Sequence, residues 1–196
     1  LVIADYQTKG RGQYGKVWES ASNQNLTFSF QWQPYNLKVE EGYKISQLVS
    51  LVILETINHF IAPNRASIKW PNDIIIKNKK VCGLLIEPSI QNNLIQKVIV
   101  GIGLNVHQIN FPGNMTNASS LSILFQDKNW QINALLKKMI TLYETEIKKR
   151  AEKRERKTQK EKDRNSRIFK RSLRDKNTMN DFDFYDKLKS VLCNAK

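Results

Sequence analysis

The sequence predicts an α+β domain over residues 1–147, built on a mixed, mainly antiparallel sheet with flanking helices. Three observations lead to this prediction. Residues 26–32 alternate apolar and polar side chains, residues 45–60 carry apolar side chains at a helical period, and residues 66–106 contain apolar runs joined by short polar turns. Strands that follow one another through short turns pair antiparallel, and amphipathic helices bury their apolar side against such a sheet.

The first of these segments, LTFSFQW, has the period of two that is typical of a half-buried strand, and Pro34 ends it. The second segment predicts a well-buried helix that Pro63 stops. Its apolar positions are Ile45, Leu48, Val49, Val52, Ile53, Ile57 and Phe60.

The third segment predicts a series of strands. Two apolar runs flank KNKK at residues 77–80, which is typical of a hairpin turn. After a second polar turn at residues 91–93, another apolar run contains two glycines. A loop rich in Asn, Ser and Gly follows at residues 110–120, and apolar residues at helical spacing predict a helix over residues 130–147.

The positive charge is concentrated in one part of the chain. The 196 residues have a formal net charge of +14, of which residues 1–147 contribute +4 and residues 148–176 contribute +10. The basic segment has no apolar stripe, and Glu152 precedes Arg156 by four residues, the favourable order for a helical ion pair. We interpret residues 148–196 as a basic, charged extension that is helical or disordered.

Several classes of protein are not expected. No apolar run approaches about 18 residues, so no membrane span is predicted, and the opening segment is too short and too acidic for a signal peptide. Cys82 and Cys193 fit no metal or disulfide spacing. We therefore expect a cytoplasmic protein in a reducing setting, and we interpret Leu1 as a truncation point within a domain.

The segment QTKGRGQYGKVW, residues 7–18, is the first candidate binding site. Its glycines allow tight turns and close approach to a ligand, and its cations suit it to holding phosphate. It matches neither the dinucleotide-binding fingerprint nor the P-loop, and a surface loop in a basic protein is an equally good interpretation. The residues concerned are Lys9, Gly10, Arg11, Gly12, Gly15 and Lys16.

Two further segments carry polar groups near predicted strand ends. In KWPND, residues 69–73, Pro71 fixes the backbone and the two last residues offer oxygen atoms. A lysine such as Lys80 beside a carboxylate can hold a ligand phosphate, although a strand-to-strand corner with a stacking Trp70 is the better explanation of this segment taken alone. In GIGLNV, residues 101–106, the glycines leave space beside the sheet; close packing and a turn-capping Asn are the alternative.

Taken in this order and spacing, together with NLTFSF and KVCGLLIE, these segments resemble the catalytic domain of biotin–protein ligases. The resemblance covers residues 1–147, about three quarters of the chain. It implies the fold shared with class II aminoacyl-tRNA synthetases and lipoyl ligases. It also implies an enzyme that converts biotin and ATP into biotinyl-5′-AMP and then transfers biotin to a specific lysine of a biotin carboxyl carrier protein.

The resemblance also implies roles for individual residues, with ATP and biotin as substrates and Mg²⁺ as cofactor. Catalytic roles are implied for Lys80, Arg11 and Asp73. Contacts to biotin are implied for Gln7, Arg11, Gly12, Gln13, Lys80 and Gly83. Contacts to ATP or the adenylate are implied for Gly10, Gly15, Trp18, Lys69, Asn72 and Asn105. The metal is assigned to Asn72 and Asn105, and a homodimer through the central sheet is compatible with the resemblance.

The chain departs from the family pattern in three places. The family's biotin-contacting Ser/Thr-Asn segment lies upstream of the first strand. This sequence begins after that position, at Leu1, so part of the biotin pocket is expected to be missing from it. Gln13 stands where many members carry a second arginine, which predicts weaker retention of the adenylate. Residues 148–196 do not resemble the small β-rich domain that usually ends the family; a lineage-specific extension and a shifted reading frame both fit them.

Three other functions are compatible with parts of the sequence. A lipoate or octanoate ligase or transferase has the same fold, but KWPND together with GRGQYG favours biotin. A nucleic-acid-binding protein would act through the basic extension, with steep salt dependence. Residues 148–167 have no aromatic side chains for base stacking, so specific nucleic-acid binding is not expected. A fragment that keeps the fold without the activity is the third alternative.

Overall fold

Seven strands form one sheet in the computed structural model, which describes residues 1–62, 65–113 and 115–175. Every pairing between these strands is antiparallel, in the order β1-β2-β7-β6-β5-β4 with β3 beside β7. This confirms the predicted, mainly antiparallel sheet. The strands are β1 Val2–Ala4, β2 Asn25–Trp32, β3 Leu37–Lys38, β4 Ala66–Lys69, β5 Asp73–Ile76, β6 Lys79–Gln91 and β7 Leu94–Asn105.

Three α-helices accompany the sheet: α1 Tyr43–Phe60, α2 Leu121–Leu124 and α3 Ile132–Asp175. Within the described residues, no helix is long and apolar enough to cross a membrane. The chain divides into two units, Leu1–Glu144 and Thr145–Lys196. Residues 148–175 of the predicted extension belong to α3. The rest of the extension, residues 176–196, lies outside the described residues, and so do Cys193 within it and Pro63.

One face of the sheet, here called the helix face, carries the large apolar side chains. Across β2, β7 and β6, Phe28, Ile102 and Leu84 are direct neighbours, and all three are buried. The helix α1 packs against β4, β5 and β6. Early in α3, the Tyr143 ring lies edge-on to Phe30, with ring centres 4.7 Å apart. The apolar period of two therefore gives this domain its core.

The two turns that the sequence predicts between strands are shorter than expected. Lys77 and Asn78 have positive φ angles of 48° and 62° and alone connect β5 to β6. Two residues of positive φ are enough for a tight antiparallel hairpin, so Lys80, predicted to lie in the turn, belongs to β6. In the same way, Asn92 and Asn93 connect β6 to β7.

Candidate active site

The other face of the sheet, here called the open face, carries small and polar side chains. Thr27, Gly103, Gly83 and Asp73 lie side by side across β2, β7, β6 and β5. A Cβ atom on Gly103 would lie 2.3 Å from Cε2 of Trp18, and one on Gly83 would lie 2.9 Å from Cζ3 of the same ring. The indole therefore rests directly on the two glycines, in space that any larger residue would fill.

Residues 9–18, here called the glycine loop, contain a narrow hairpin. The Trp18 amide donates to the Gly10 carbonyl over 3.0 Å, and the Gly12 amide donates to the Lys16 carbonyl over 2.7 Å. A Cβ atom at Gly10 would lie 2.2 Å from the Trp18 carbonyl oxygen, and Gly15 at the tip has φ +73°. Both positions require glycine, one for close backbone approach and the other for its left-handed conformation.

An open cleft of about 610 Å³ lies between the glycine loop and β6. Its lining includes the three cations of the loop, Lys9, Arg11 and Lys16, together with Glu87 of β6. The Arg11 guanidinium lies 3.2 Å from the Glu87 carboxylate, and the two side chains are 72% and 41% exposed. Since exposed ion pairs contribute little free energy, this contact holds the loop only loosely, and an anionic ligand can compete for Arg11.

Lys80 and Asp73 form an ion pair at the edge of the indole. The Lys80 Nζ lies 2.8 Å from the Asp73 Oδ1 and 5.8 Å from the centre of the Trp18 ring. The side chains of the pair are 35% and 21% exposed, so both groups remain accessible to a ligand. A cation in this position can interact with a ligand anion while the carboxylate fixes its orientation.

A β-bulge places Lys80 on the open face. Residues three apart on a regular strand point to opposite faces, which would separate Lys80 from Gly83. The pairing between β5 and β6 shifts so that Val81 has no partner of its own. This extra residue returns Lys80 to the face of Gly83, as bulges do when they redirect a side chain beside a functional site.

The loop after β7 fixes the backbone of Lys80. The Lys80 amide donates to the Asn117 carbonyl over 2.7 Å, and its carbonyl accepts from the Ser119 amide over 2.9 Å. The Asn105 side-chain amide donates to the Ser119 carbonyl over 3.0 Å. Asn105 therefore acts at the end of β7 by holding this loop, and through the loop it supports the position of Lys80.

The two predicted metal ligands are not brought together. Asn72 lies opposite Leu84 and donates its side-chain amide to that carbonyl over 3.1 Å. Asn105 lies on β7, two strands away from Asn72 and three residues further along the sheet. Strand spacing and rise per residue place the Cα atoms of the two residues about 14 Å apart. Two oxygen atoms that bind one Mg²⁺ each lie about 2.1 Å from the ion, so they must lie far closer together than Asn72 and Asn105 do. No group of three His, Cys, Asp or Glu in the described part could hold a metal, so these residues do not fit a resident magnesium site.

The remaining predicted residues occupy four different places. Gln13 is half-buried at the start of the turn at the loop tip, where its carbonyl accepts from the Lys16 amide over 3.2 Å. Gln7 is exposed in the segment that precedes the cleft, and Lys69 is exposed at the end of β4, opposite Asp73. No described contact joins Gln7 or Lys69 to Lys80. Trp18, which is predicted to lie beside adenine, covers Gly83 and Gly103, here called the glycine floor.

Sequence reasoning did not identify Glu87, Thr27, or the Asn117 carbonyl and Ser119 amide that hold the backbone of Lys80. One signal was available for the floor: Gly101 and Gly103 are two residues apart, so they share one face of a strand. The pairing of Gly103 with Gly83 required the register of β6 against β7. The pairing of Arg11 with Glu87 joins residues far apart in the sequence, which no local pattern predicts.

The arrangement suits the binding of an anionic ligand without covalent chemistry by the protein. Three loop cations and Lys80 border the cleft and the glycine floor. The nearby Cys82 is fully buried in β6, and this burial raises the pKa of its thiol. Because the thiolate is the reactive form, Cys82 is unsuited to act as a nucleophile.

Known proteins resemble this chain in sequence. The sequence profile of the Biotin/lipoate A/B protein ligase family matches residues 1–105. The Bifunctional ligase/repressor BirA of Bacillus subtilis is 35% identical over 125 residues, which are 62% of this chain and 38% of the relative. The Biotin--[acetyl-CoA-carboxylase] ligase of Mycobacterium tuberculosis is 27% identical over 143 residues, covering 71% and 52% of the two chains.

A solved structure shows the same fold. The biotin protein ligase from Aquifex aeolicus in complex with biotin and ATP superimposes with a TM-score of 0.62 and 34% identity, covering 75% of this chain and 60% of the other. The chain thus spans only about four to six tenths of the length of these relatives. Since the family profile matches more than half of the residues, together with the glycine loop and Lys80, the chain belongs to the biotin/lipoate A/B protein ligase family.

Proposed function

We propose that this chain activates biotin with ATP to form biotinyl-5′-AMP and transfers the biotin to a lysine of a biotin carboxyl carrier protein. The observation that carries the proposal is the Lys80–Asp73 pair beside Gly83 and Gly103, on which Trp18 at the end of the basic glycine loop rests. Biotin is favoured over lipoate because the Aquifex aeolicus neighbour is described with biotin and ATP. The Mycobacterium tuberculosis relative is named as a ligase acting on acetyl-CoA carboxylase, which supports a carboxylase carrier as acceptor.

The activation step brings two anions together. The biotin carboxylate attacks the α-phosphorus of ATP, pyrophosphate leaves, and negative charge develops on the phosphoryl oxygens. The ammonium of Lys80 and the cations of the glycine loop reduce this repulsion from positions fixed before the ligand arrives. Magnesium enters as part of its complex with ATP, as substrate. Closure of the loop over the mixed anhydride excludes water.

In the transfer step, the carrier lysine attacks the carbonyl carbon of the adenylate and AMP leaves. Asp73 is 21% exposed beside Lys80, so its carboxylate can orient the incoming amine and receive its proton. The same carboxylate keeps Lys80 oriented during activation. A role in both steps distinguishes Asp73 from the loop residues, which act on the phosphate.

The test is biotin-dependent exchange of pyrophosphate into ATP, measured for the wild-type chain, Lys80→Ala and Lys79→Ala. Loss of one fixed cation beside the developing charge is expected to slow exchange by about 100-fold or more. Lys79 is a matched control because, among the residues that the structure describes, its Nζ donates to the Thr116 carbonyl alone, at the surface, and its variant should keep nearly full exchange. Equal rates for the two variants, or exchange that does not need biotin, would contradict the proposal.

A further inference from the structure

The exposed part of α3 carries a continuous positive stripe, here called the basic stripe. It consists of five residues at spacings of four, three, four and three: Lys153, Lys157, Lys160, Arg164 and Arg167. At 100° per residue these side chains fall within about 80° of one another around the helix. The basic stripe is about 21 Å long at 1.5 Å per residue.

Negative charges lie elsewhere on the same helix. At 100° per residue, Glu152, Glu155, Glu161 and Asp163 all fall outside the arc of the basic stripe, with Glu161 and Asp163 about 40° beyond its two edges. Every residue from 152 to 168 is exposed. The described ion pair of this segment joins Glu152 to Arg156, which flanks the stripe, over 3.9 Å. The acidic residues are interspersed with the basic ones in the sequence, but on the helix they lie outside the basic stripe.

The surroundings of the basic stripe favour a nucleic-acid duplex over a membrane as partner. A helix that binds a lipid surface needs an apolar face to insert, and between residues 148 and 168 only Ala151 and Ile168 are apolar. Single-stranded nucleic acid is held by stacking on aromatic rings, and none occurs in these residues. A duplex presents regularly spaced phosphates, which bind cations without stacking or insertion.

We infer that the basic stripe binds the phosphate backbone of double-stranded nucleic acid without sequence preference. This binding is separate from the proposed ligase function, because none of the five residues belongs to the active site. The Lys and Arg side chains neutralise phosphates and release their counterions, so affinity falls steeply with salt. At physiological salt, the dissociation constant is expected in the range of about 1 to 100 μM, as for other backbone binding.

The test compares two triple variants of the full chain that remove equal charge. The stripe variant carries Lys157→Gln, Lys160→Gln and Arg164→Gln; the control carries Lys148→Gln, Lys162→Gln and Arg154→Gln, whose positions lie off the stripe. Gln keeps helix propensity close to that of Lys and Arg, and circular dichroism checks the helix content. Binding to a fluorescein-labelled 20-base-pair DNA of arbitrary sequence is followed by fluorescence anisotropy at several salt concentrations.

For the stripe variant, the slope of log affinity against log salt should fall by about 0.9 per lost phosphate contact, close to 3 in all. The control should change by less than one unit, and both variants should keep biotin-dependent pyrophosphate exchange. Equal weakening in both variants, or no binding by the wild-type chain, would overturn the inference. Binding to vesicles of anionic phospholipid that is tighter than binding to DNA would also overturn it.

Discussion

At the scale of single residues, the candidate site depends on three positions at which a side chain would collide with Trp18. Gly10, Gly83 and Gly103 have no side chain, and the Trp18 residue occupies the space at each of them. A Cβ atom would come within 3 Å of that residue in every case, against its backbone at Gly10 and against its ring at the other two. The position of the ring is therefore set by two strands and by the base of its own loop.

Gly103→Ala should displace the indole and loosen the glycine loop. Its Cβ would lie 2.3 Å from the Trp18 ring, whereas a Cβ at Gly101 meets Leu85 and Ser29 at ordinary distances of 3.6 Å. We expect the amides of Gly12 and Trp18 to exchange hydrogen faster in Gly103→Ala, by about tenfold or more, and to remain unchanged in Gly101→Ala. Hydrogen exchange measured by NMR checks this, and equal protection in both variants would refute it.

Gln13→Arg should slow release of the adenylate. Gln13 lies at the tip of the basic loop that lines the cleft, and an added cation there would attract the phosphate of a bound adenylate. A partly exposed charge pair contributes about 1 kcal/mol, which corresponds to about fivefold slower release. Rapid filtration of enzyme loaded with labelled biotin measures the release. Gln91→Arg adds the same charge at the exposed end of β6, and a similar slowing there would argue against a local effect.

At the scale of elements, α1 and the turn geometry show what the sequence could and could not predict. The apolar period over residues 45–60 predicts a well-buried helix, and all seven apolar positions that carry this prediction are buried or half-buried in α1. The bulge at Val81 could not be predicted, because the pairing of β5 with β6 depends on a turn of only two residues. Without the register of β5 against β6, the sequence does not show on which face of the sheet Lys80 lies.

The burial of α1 gives a prediction within one helix. Ile53 is fully buried, and Leu51, two residues earlier, is 46% exposed. Truncation of a buried Ile to Ala lowers the free energy of unfolding by about 2–5 kcal/mol, because it removes apolar contacts and leaves a cavity. We therefore expect Ile53→Ala to unfold at much lower urea concentration, and Leu51→Ala to lose less than about 1 kcal/mol. Similar midpoints for the two variants would contradict the packing of α1 described above.

At the scale of the whole molecule, the two units differ in how they gain stability. The unit Leu1–Glu144 buries a core of aliphatic side chains on the helix face of its sheet. In the other unit, residues 152–168 have exposed side chains throughout. Their helix depends on propensity and on ion pairs between successive turns, such as Glu152 with Arg156, which contribute only about 0.2–0.5 kcal/mol each. The two units should therefore open independently.

Limited digestion with trypsin should reveal this difference. The protease cleaves after Lys and Arg and needs a segment that can leave its secondary structure, so cleavage follows the free energy of local opening. Residues 148–167 hold eleven such sites on an exposed helix, whereas Lys97 is exposed but lies within the paired strand β7. Mass spectrometry of the first products should show cuts within residues 148–167 and none after Lys97. Early cleavage after Lys97, with residues 148–167 intact, would mean that the sheet is the less stable unit.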